Sequence, residues 1–149
     1  MHFLLVNDDG IGSVGIMALM EAALKRGHRV SMCAPSGQMS AASHRITLSD
    51  PLYVKDYPLN RENAEGFAIT GTPADCVRLA FLGGLVAESV DGVISGINNG
   101  YNAGLATYYS GTVGAAREGA LLGHPAIAAS IDYKADPAHV QDAAELVLT

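Results

Sequence analysis

The sequence predicts an α/β fold, a mainly parallel sheet with helices on both faces. Two observations carry that expectation. Short apolar runs alternate with segments of helical periodicity from the first residues onward, the pattern of successive βαβ units. Of the 149 residues, 49% are hydrophobic and only 16% charged, enough apolar surface for a buried core. No internal repeat or low-complexity linker divides the chain, so residues 1–149 are expected to form one domain.

Phe3–Val6 is the first apolar run and predicts a buried strand. Ile16, Leu19, Met20, Ala23 and Leu24 then follow the i, i+3, i+4, i+7, i+8 spacing of an amphipathic helix, which Gly27 closes. His28–Ala34 is a second strand. The polar, Ser- and Gly-rich stretch from Pro35 to Arg45 predicts a loop, and Leu52–Val54 an edge strand weakened by Pro51. Phe67–Thr70 is the next strand, followed by a helix with Val77, Phe81 and Leu85 turned inward. Val90–Ser95 is a strand leading into a Gly/Asn loop that runs to Tyr109. Thr112–Leu122 predicts a helix, Ala126–Ile131 a strand, and Val140, Ala143, Ala144, Val147 and Leu148 restore helical spacing. That last helix reaches Thr149 without a Gly, Asn or Pro stop.

Charge removes whole classes of function. Nine Lys and Arg against fifteen Asp and Glu leave a formal charge of −6, too few cations for a binder of nucleic-acid duplexes or a polybasic membrane-surface protein. Cys33 and Cys76 stand 43 positions apart with no metal-ligand spacing around them, which suits a reducing compartment. Met1 to Val6 lacks the basic start of a signal peptide. No run approaches the ~18 apolar residues of a membrane span, so a cytoplasmic protein without membrane contact is expected.

Four places could carry chemistry. Asn7-Asp8-Asp9-Gly10 follows the first strand, where open parallel sheets bind ligands. Two carboxylates ~5 Å apart repel by roughly 3 kcal/mol at an effective dielectric near 20, which a cation or a proton would relieve. The alternative is that Asp8 or Asp9 caps the next helix or closes an Asx-turn. Ser95 to Gly104 holds three Asn, and eight of the chain's seventeen glycines fall between positions 92 and 123. Such a loop lets backbone approach a ligand closely, while Asn offers neutral oxygens and amide donors. Tyr109-Ser110-Gly111-Thr112 opens a helix, where free N–H groups can seat an anion, or where Ser110 is simply the N-cap. Thr72-Pro73-Ala74-Asp75 matches a capping box, a structural role. Spacing alone does not choose among Ser36, Ser40 and Ser43. Phosphate-loop, dinucleotide-fingerprint and nucleophile-elbow motifs are absent, and the five histidines form no i, i+4 pair.

Taken in order, Asn7-Asp8-Asp9-Gly10-Ile11, the Ala34-Pro35 to Ser43 loop, Gly71-Thr72-Pro73-Ala74-Asp75-Cys76-Val77, Ser95-Gly96-Ile97-Asn98 and Tyr109-Ser110-Gly111-Thr112-Val113 resemble the survival-protein SurE family. Each motif is weak singly; five in order, across residues 4 to about 131, are specific. The resemblance implies a Rossmann-like three-layer sandwich and a metal-dependent 5′/3′-nucleotidase acting on nucleoside monophosphates. It implies a divalent ion held at Asp8, Asp9, Ser40 and Asn98, with Asp8 and Asp9 also catalytic. Two carboxylates, a hydroxyl and an amide oxygen are a hard donor set that suits Mg²⁺ or Mn²⁺. Asn102, Ser110, Gly111 and Thr112 would hold the phosphate.

The implied chemistry is phosphomonoester hydrolysis by a metal-activated water, with attack by Asp8 through an aspartyl-phosphate left open. Between Ser95 and Arg117 there is no Lys or Arg, so positive charge for a phosphate has to come from N–H groups, a helix terminus and the ion. Ser13-Val14 stands where the family often has Ala-Pro, Ala41 where it often has Gly, and Leu105-Ala106-Thr107 where acids are frequent. Family chains run longer and assemble as homo-oligomers, so an N-terminal portion of such an enzyme is expected. Two competing readings are a nucleotide-binding fragment without turnover and a Mg²⁺-binding phosphorylatable receiver module. The receiver would need an acceptor Asp after the third strand and a Lys after the fifth, and neither is present.

Overall fold

The computed structural model describes residues 1–149. Six strands and five helices follow one another along the chain: β1 (His2–Val6), α1 (Val14–Lys25), β2 (Arg29–Pro35), β3 (Val54–Asp56), β4 (Ala64–Ile69), α2 (Pro73–Phe81), β5 (Gly92–Asn99), α3 (Ala106–Tyr109), α4 (Gly111–Leu121), β6 (Ala126–Ile131) and α5 (Pro137–Val147). The strands form one sheet in the order β3-β4-β2-β1-β5-β6. All pairs are parallel except β3 against β4.

Period-2 alternation in the sheet divides the core. Leu5, Val30, Met32, Ala34 and Ile94 face α1 and α5, where Ile16, Leu19, Met20, Ala23, Val140 and Ala144 close over them. Leu4, Val6, Cys33, Ile69 and Val93 face α2 and α4, packing against Val77, Ala80 and Ala115. This three-layer arrangement is the fold the apolar runs predict. From β1 the chain crosses to β2 on one side and later enters β5 on the other. The strand order therefore reverses between β1 and β5, and the carboxyl ends of these two strands frame a crevice.

Four elements depart from the sequence expectation. β4 begins at Ala64 rather than Phe67, because β2 supplies a ladder from Val30↔Ala64 onward to a segment of weak strand propensity. β3 lies at Val54–Asp56 rather than Leu52–Val54, and all three of its residues are exposed. β5 starts at Gly92 and continues to Asn99, four residues past Ser95. Its pairing with β6 slips between Ser95 and Asn98 and then resumes at Asn98↔Ser130 and Asn99↔Ile131. Gly96 makes this possible: its φ is +137°, and a Cβ there would sit 2.4 Å from the Ala129 carbonyl oxygen. The Gly/Asn run is thus strand through Asn99, and the remaining loop contains the short helix α3. Leu85 lies beyond α2, which ends at Phe81.

Candidate functional site

The turn after β1 is held by Asn7, not by either aspartate. Asn7 is fully buried; its Nδ2 donates to the Gly10 carbonyl (2.9 Å) and to Ser13 Oγ (2.7 Å), while its Oδ1 accepts from Gly10 N–H (3.2 Å). Ser13 occupies the N-cap of α1. The Asx-turn and the N-cap position weighed for Asp8 and Asp9 are therefore taken by Asn7 and Ser13.

Asp8 is only 5% exposed, and its Oδ1 accepts a 2.6 Å hydrogen bond from the Thr112 hydroxyl. Burial pushes the Asp8 carboxyl above its ordinary range, the Thr112 hydrogen bond pulls it back, and the neighbouring Asp9 raises it again. A buried carboxyl disfavoured as an anion by its setting is one that a cation would stabilise. Asp9 is half-buried and its Oδ2 accepts from the Asn99 N–H at 3.1 Å, which ties the turn after β1 to the end of β5.

The loop after β2 folds over this turn. Met39 N–H donates to the Asp8 carbonyl (2.7 Å) and Ile11 N–H to the Pro35 carbonyl (2.9 Å), which sets Ser40 beside the carboxylates. Further along, Ser43 N–H donates to the Tyr109 carbonyl, and His44 Nε2 lies 2.7 Å from Glu118 of α4. Glu118 is 5% exposed and also accepts from Arg78 of α2 (2.9 Å). Thr72 and Asp75 form the capping box of α2, and Asp75 additionally accepts from Thr47 N–H and Oγ1. Burial opposes ionisation of Asp75, yet the donors from Thr47 and Thr72 outweigh it and hold the carboxyl below its ordinary value. The loop that bears Ser40 is thereby laced to the starts of α2 and α4.

A cleft of about 270 Å³ opens above these groups. Asp8, Asp9, Ser40, Asn98, Asn102 and Ser110 all line it, so the structure brings together six of the eight residues singled out in the sequence. Asn98 Nδ2 donates to the Gly100 carbonyl (2.6 Å), leaving its Oδ1 without a donor, and Asn102 Nδ2 donates to Ser130 Oγ (2.8 Å). Gln38, Asn99 and Tyr109 line the cleft as well. Sequence reasoning did not select them, although Asn99 and Tyr109 lie within its motifs.

Gly111 and Thr112 sit behind the cleft. Thr112 is fully buried and its hydroxyl proton is committed to Asp8. A Cβ on Gly111 would lie 2.9 Å from Asp8 Cβ and 3.1 Å from Asp8 Oδ2, so glycine there lets α4 approach the carboxylate. The N-terminus of α4 faces Asp8 directly, and the Thr112 backbone also helps to stabilise the Asp8 anion. Ser110 Oγ caps Val113 N–H at 3.0 Å and keeps its own proton for the cleft. Chemically, the cleft offers two carboxylates, a hydroxyl and an amide oxygen for a hard cation, with Asn102 and Ser110 as donors beside them.

Comparison with known proteins gives the chain's family and its relatives. Residues 3–149 match the family model described as survival protein SurE. The chain is similar to the 5′-nucleotidase SurE of Desulfitobacterium hafniense, 48% identical over 140 residues, covering 90% of this chain and 55% of that protein. It is similar to the 5′-nucleotidase SurE of Solidesulfovibrio magneticus, 49% identical over 132 residues, covering 89% of this chain and 51% of that protein. The crystal structure of the SurE protein from Aquifex aeolicus superimposes with a TM-score of 0.81 at 39% identity, covering 99% of this chain and 58% of that one. The chain spans about half the length of the curated relatives it matches.

Proposed function

This chain belongs to the survival protein SurE family, and on that premise we propose that it carries the active-site half of a divalent-metal-dependent 5′/3′-nucleotidase that hydrolyses nucleoside monophosphates. The observation that carries the proposal is the convergence of Asp8, Asp9, Ser40 and Asn98 on one cleft at the switch point between β1 and β5. The residues fit a hard cation: all four offer oxygen, the Asn98 Oδ1 has no donor, and burial with Asp9 beside it disfavours a bare Asp8 anion. When bound, Mg²⁺ or Mn²⁺ supplies Lewis acidity toward a phosphoryl oxygen and acidifies water.

The protein's own groups supply the rest. The Ser110 hydroxyl and the Asn102 amide donate to phosphate oxygens from one side of the cleft, where no Lys or Arg is present between Ser95 and Arg117. Asp9 Oδ2 is fixed by the Asn99 N–H, so its Oδ1 is the free oxygen that orients the attacking water and accepts its proton. Gly111 and Thr112 act through Asp8, by making room for it and directing its oxygens, rather than on the phosphate. After β4, Ile69 is followed by Thr70 and Gly71, with no acceptor aspartate for a receiver module.

No helix is long and apolar enough to cross a membrane. A cytoplasmic setting and assembly into homo-oligomers belong to the same proposal. Phosphate release from nucleoside 5′- and 3′-monophosphates, with Mg²⁺ or Mn²⁺ and with EDTA, tests it. Release that needs the ion supports the proposal; release unaffected by EDTA overturns it. Inversion at a chiral phosphorus would mark direct attack by water, and retention an aspartyl-phosphate.

A further inference from the structure

A second cavity, of about 410 Å³, lies beside the polar cleft, between the start of α1, the end of β5 and the segment joining β6 to α5. The two share Asp9 and Asn99 in their walls, so they are adjoining compartments of one crevice. Their chemistry differs. The cleft is walled by carboxylates, amides and hydroxyls, whereas Val14, Ile131 and Tyr133 give the second cavity an apolar wall. Its volume lies in the range of small-molecule sites, ~300–1,000 Å³. It contains no Lys or Arg, so it suits a neutral, flat, largely apolar group rather than a second anion.

Two details point to a nucleoside. Tyr133 is 66% exposed and takes part in neither of the protein's two ring–ring contacts, Phe3–His28 and Phe81–His124; its one aromatic partner is the Lys134 ammonium, 5.3 Å from the ring centroid, a flexible side chain that a stacking base can displace or share the ring with. Ser13 Oγ accepts from Asn7 Nδ2 at 2.7 Å, its side chain makes no cap hydrogen bond to α1, and its own proton has no acceptor in the protein. A hydroxyl whose oxygen is held in place and whose proton is free to turn, beside an apolar wall, is suited to a sugar hydroxyl. We infer that this cavity seats the nucleoside half of the substrate, with the base against Tyr133 and the ribose beside Ser13, while the polar cleft takes the phosphate. The inference rests on the nucleotidase reading for the identity of its ligand.

Amide NMR titration with adenosine, which carries no phosphate and needs no metal or turnover, tests it. The largest shifts are expected at residues 13–15, 97–99 and 131–135, and a parallel titration with inorganic phosphate should move residues 98–112 instead. Val14→Trp fills the cavity from a position that is 65% exposed, so the core is untouched. It should weaken adenosine about tenfold and leave the phosphate titration unchanged. Tyr133→Ala, also on the surface, should weaken adenosine comparably. Ser13→Ala should narrow any preference for adenosine over its 2′,3′-dideoxy analogue. Adenosine shifts confined to the polar cleft, an absence of shifts up to the solubility limit, or adenosine binding indifferent to Val14→Trp would each overturn the inference. Adenosine binding at the expected residues without metal-dependent phosphate release would uphold the seat and refute the nucleotidase reading, so the two fail separately.

Discussion

Thr112→Val is the sharpest probe of how the site is held. The substitution keeps the shape of the side chain and deletes one hydroxyl, the one that donates to Asp8 Oδ1 at 2.6 Å. Thr112 is fully buried and Asp8 is 5% exposed, so water does not replace the lost donor. A hydrogen bond to a buried charged group contributes about 1.5–3 kcal/mol, and a loss near 2 kcal/mol is expected. For a chain of this length that corresponds to a fall of about 4–8 °C in Tm. The second consequence is electrostatic. Burial already raises the Asp8 carboxyl, and the Thr112 bond is the main effect opposing it. Without it the carboxyl rises further and its oxygens lose their orientation, so Mn²⁺ affinity should fall about tenfold, equivalent to about 1.4 kcal/mol. Thermal unfolding and calorimetric Mn²⁺ titration read the two effects. Thr112→Ser keeps the hydroxyl and should recover most of the cation affinity. A Thr112→Val protein with unchanged Tm and unchanged Mn²⁺ affinity would refute the reasoning.

Three further predictions concern the framework around the cleft. Asp75→Asn should cost about 1–3 kcal/mol near neutral pH, read by urea unfolding, because a buried carboxylate with donors from Thr47 and Thr72 is lost. The Asp75 carboxyl is held below its ordinary 3.8 in the folded state, so its stabilisation is present above that pH and is lost as pH falls through the lower folded value; the Asn variant should lose less stability in that acid window. Glu118→Ala should destabilise by about 2 kcal/mol, less than the ~3–5 kcal/mol of a fully buried charge pair because the Arg78 side chain is 40% exposed, and should weaken Mn²⁺ binding by loosening the Ser40 loop. Ala41→Gly should stabilise by about 0.5–1 kcal/mol in the same unfolding assay: Ala41 has φ +57°, a left-handed conformation that an L side chain resists, and the greater freedom of glycine when unfolded offsets part of the gain.

Local chemistry was legible in the sequence and long-range chemistry was not. The capping box of α2 and the Ser110 cap of α4 rest on residues three apart, and both form as their spacing predicts. Asp8 and Asp9 follow β1 directly, and an acidic pair at the carboxyl end of a first strand is legible as a candidate site. The partners of these residues come from elsewhere in the chain. Thr112 reaches Asp8 across 104 positions, and His44 reaches Glu118 across 74. Neither pairing leaves a periodic trace. The helix start at Ser110-Gly111-Thr112 read as an anion seat because free N–H groups attract negative charge. That physics holds, but an anion it faces within the protein is Asp8 itself. The apolar run ends at Ser95, short of the end of β5, for a related reason: Gly96 and Asn98 are poor strand formers alone, and only the ladder from β6 carries the strand on to Asn99. Choosing Ser40 over Ser36 and Ser43 needed the family resemblance, since spacing offers no preference. In the folded loop Met39 is pinned to the Asp8 carbonyl, Ser43 is turned to the Tyr108 and Tyr109 carbonyls, and Ser40 lines the cleft.

The central claim is that a divalent ion seated by Asp8, Asp9, Ser40 and Asn98 carries phosphate release. The most direct test is the Mn²⁺ dependence of phosphate release from a nucleoside 5′-monophosphate, compared between the protein and its Asp8→Asn variant, with circular dichroism to show that both are folded. The account predicts release that rises with Mn²⁺, disappears with EDTA and is lost in the folded variant. Release that persists in Asp8→Asn with the same Mn²⁺ dependence would contradict it.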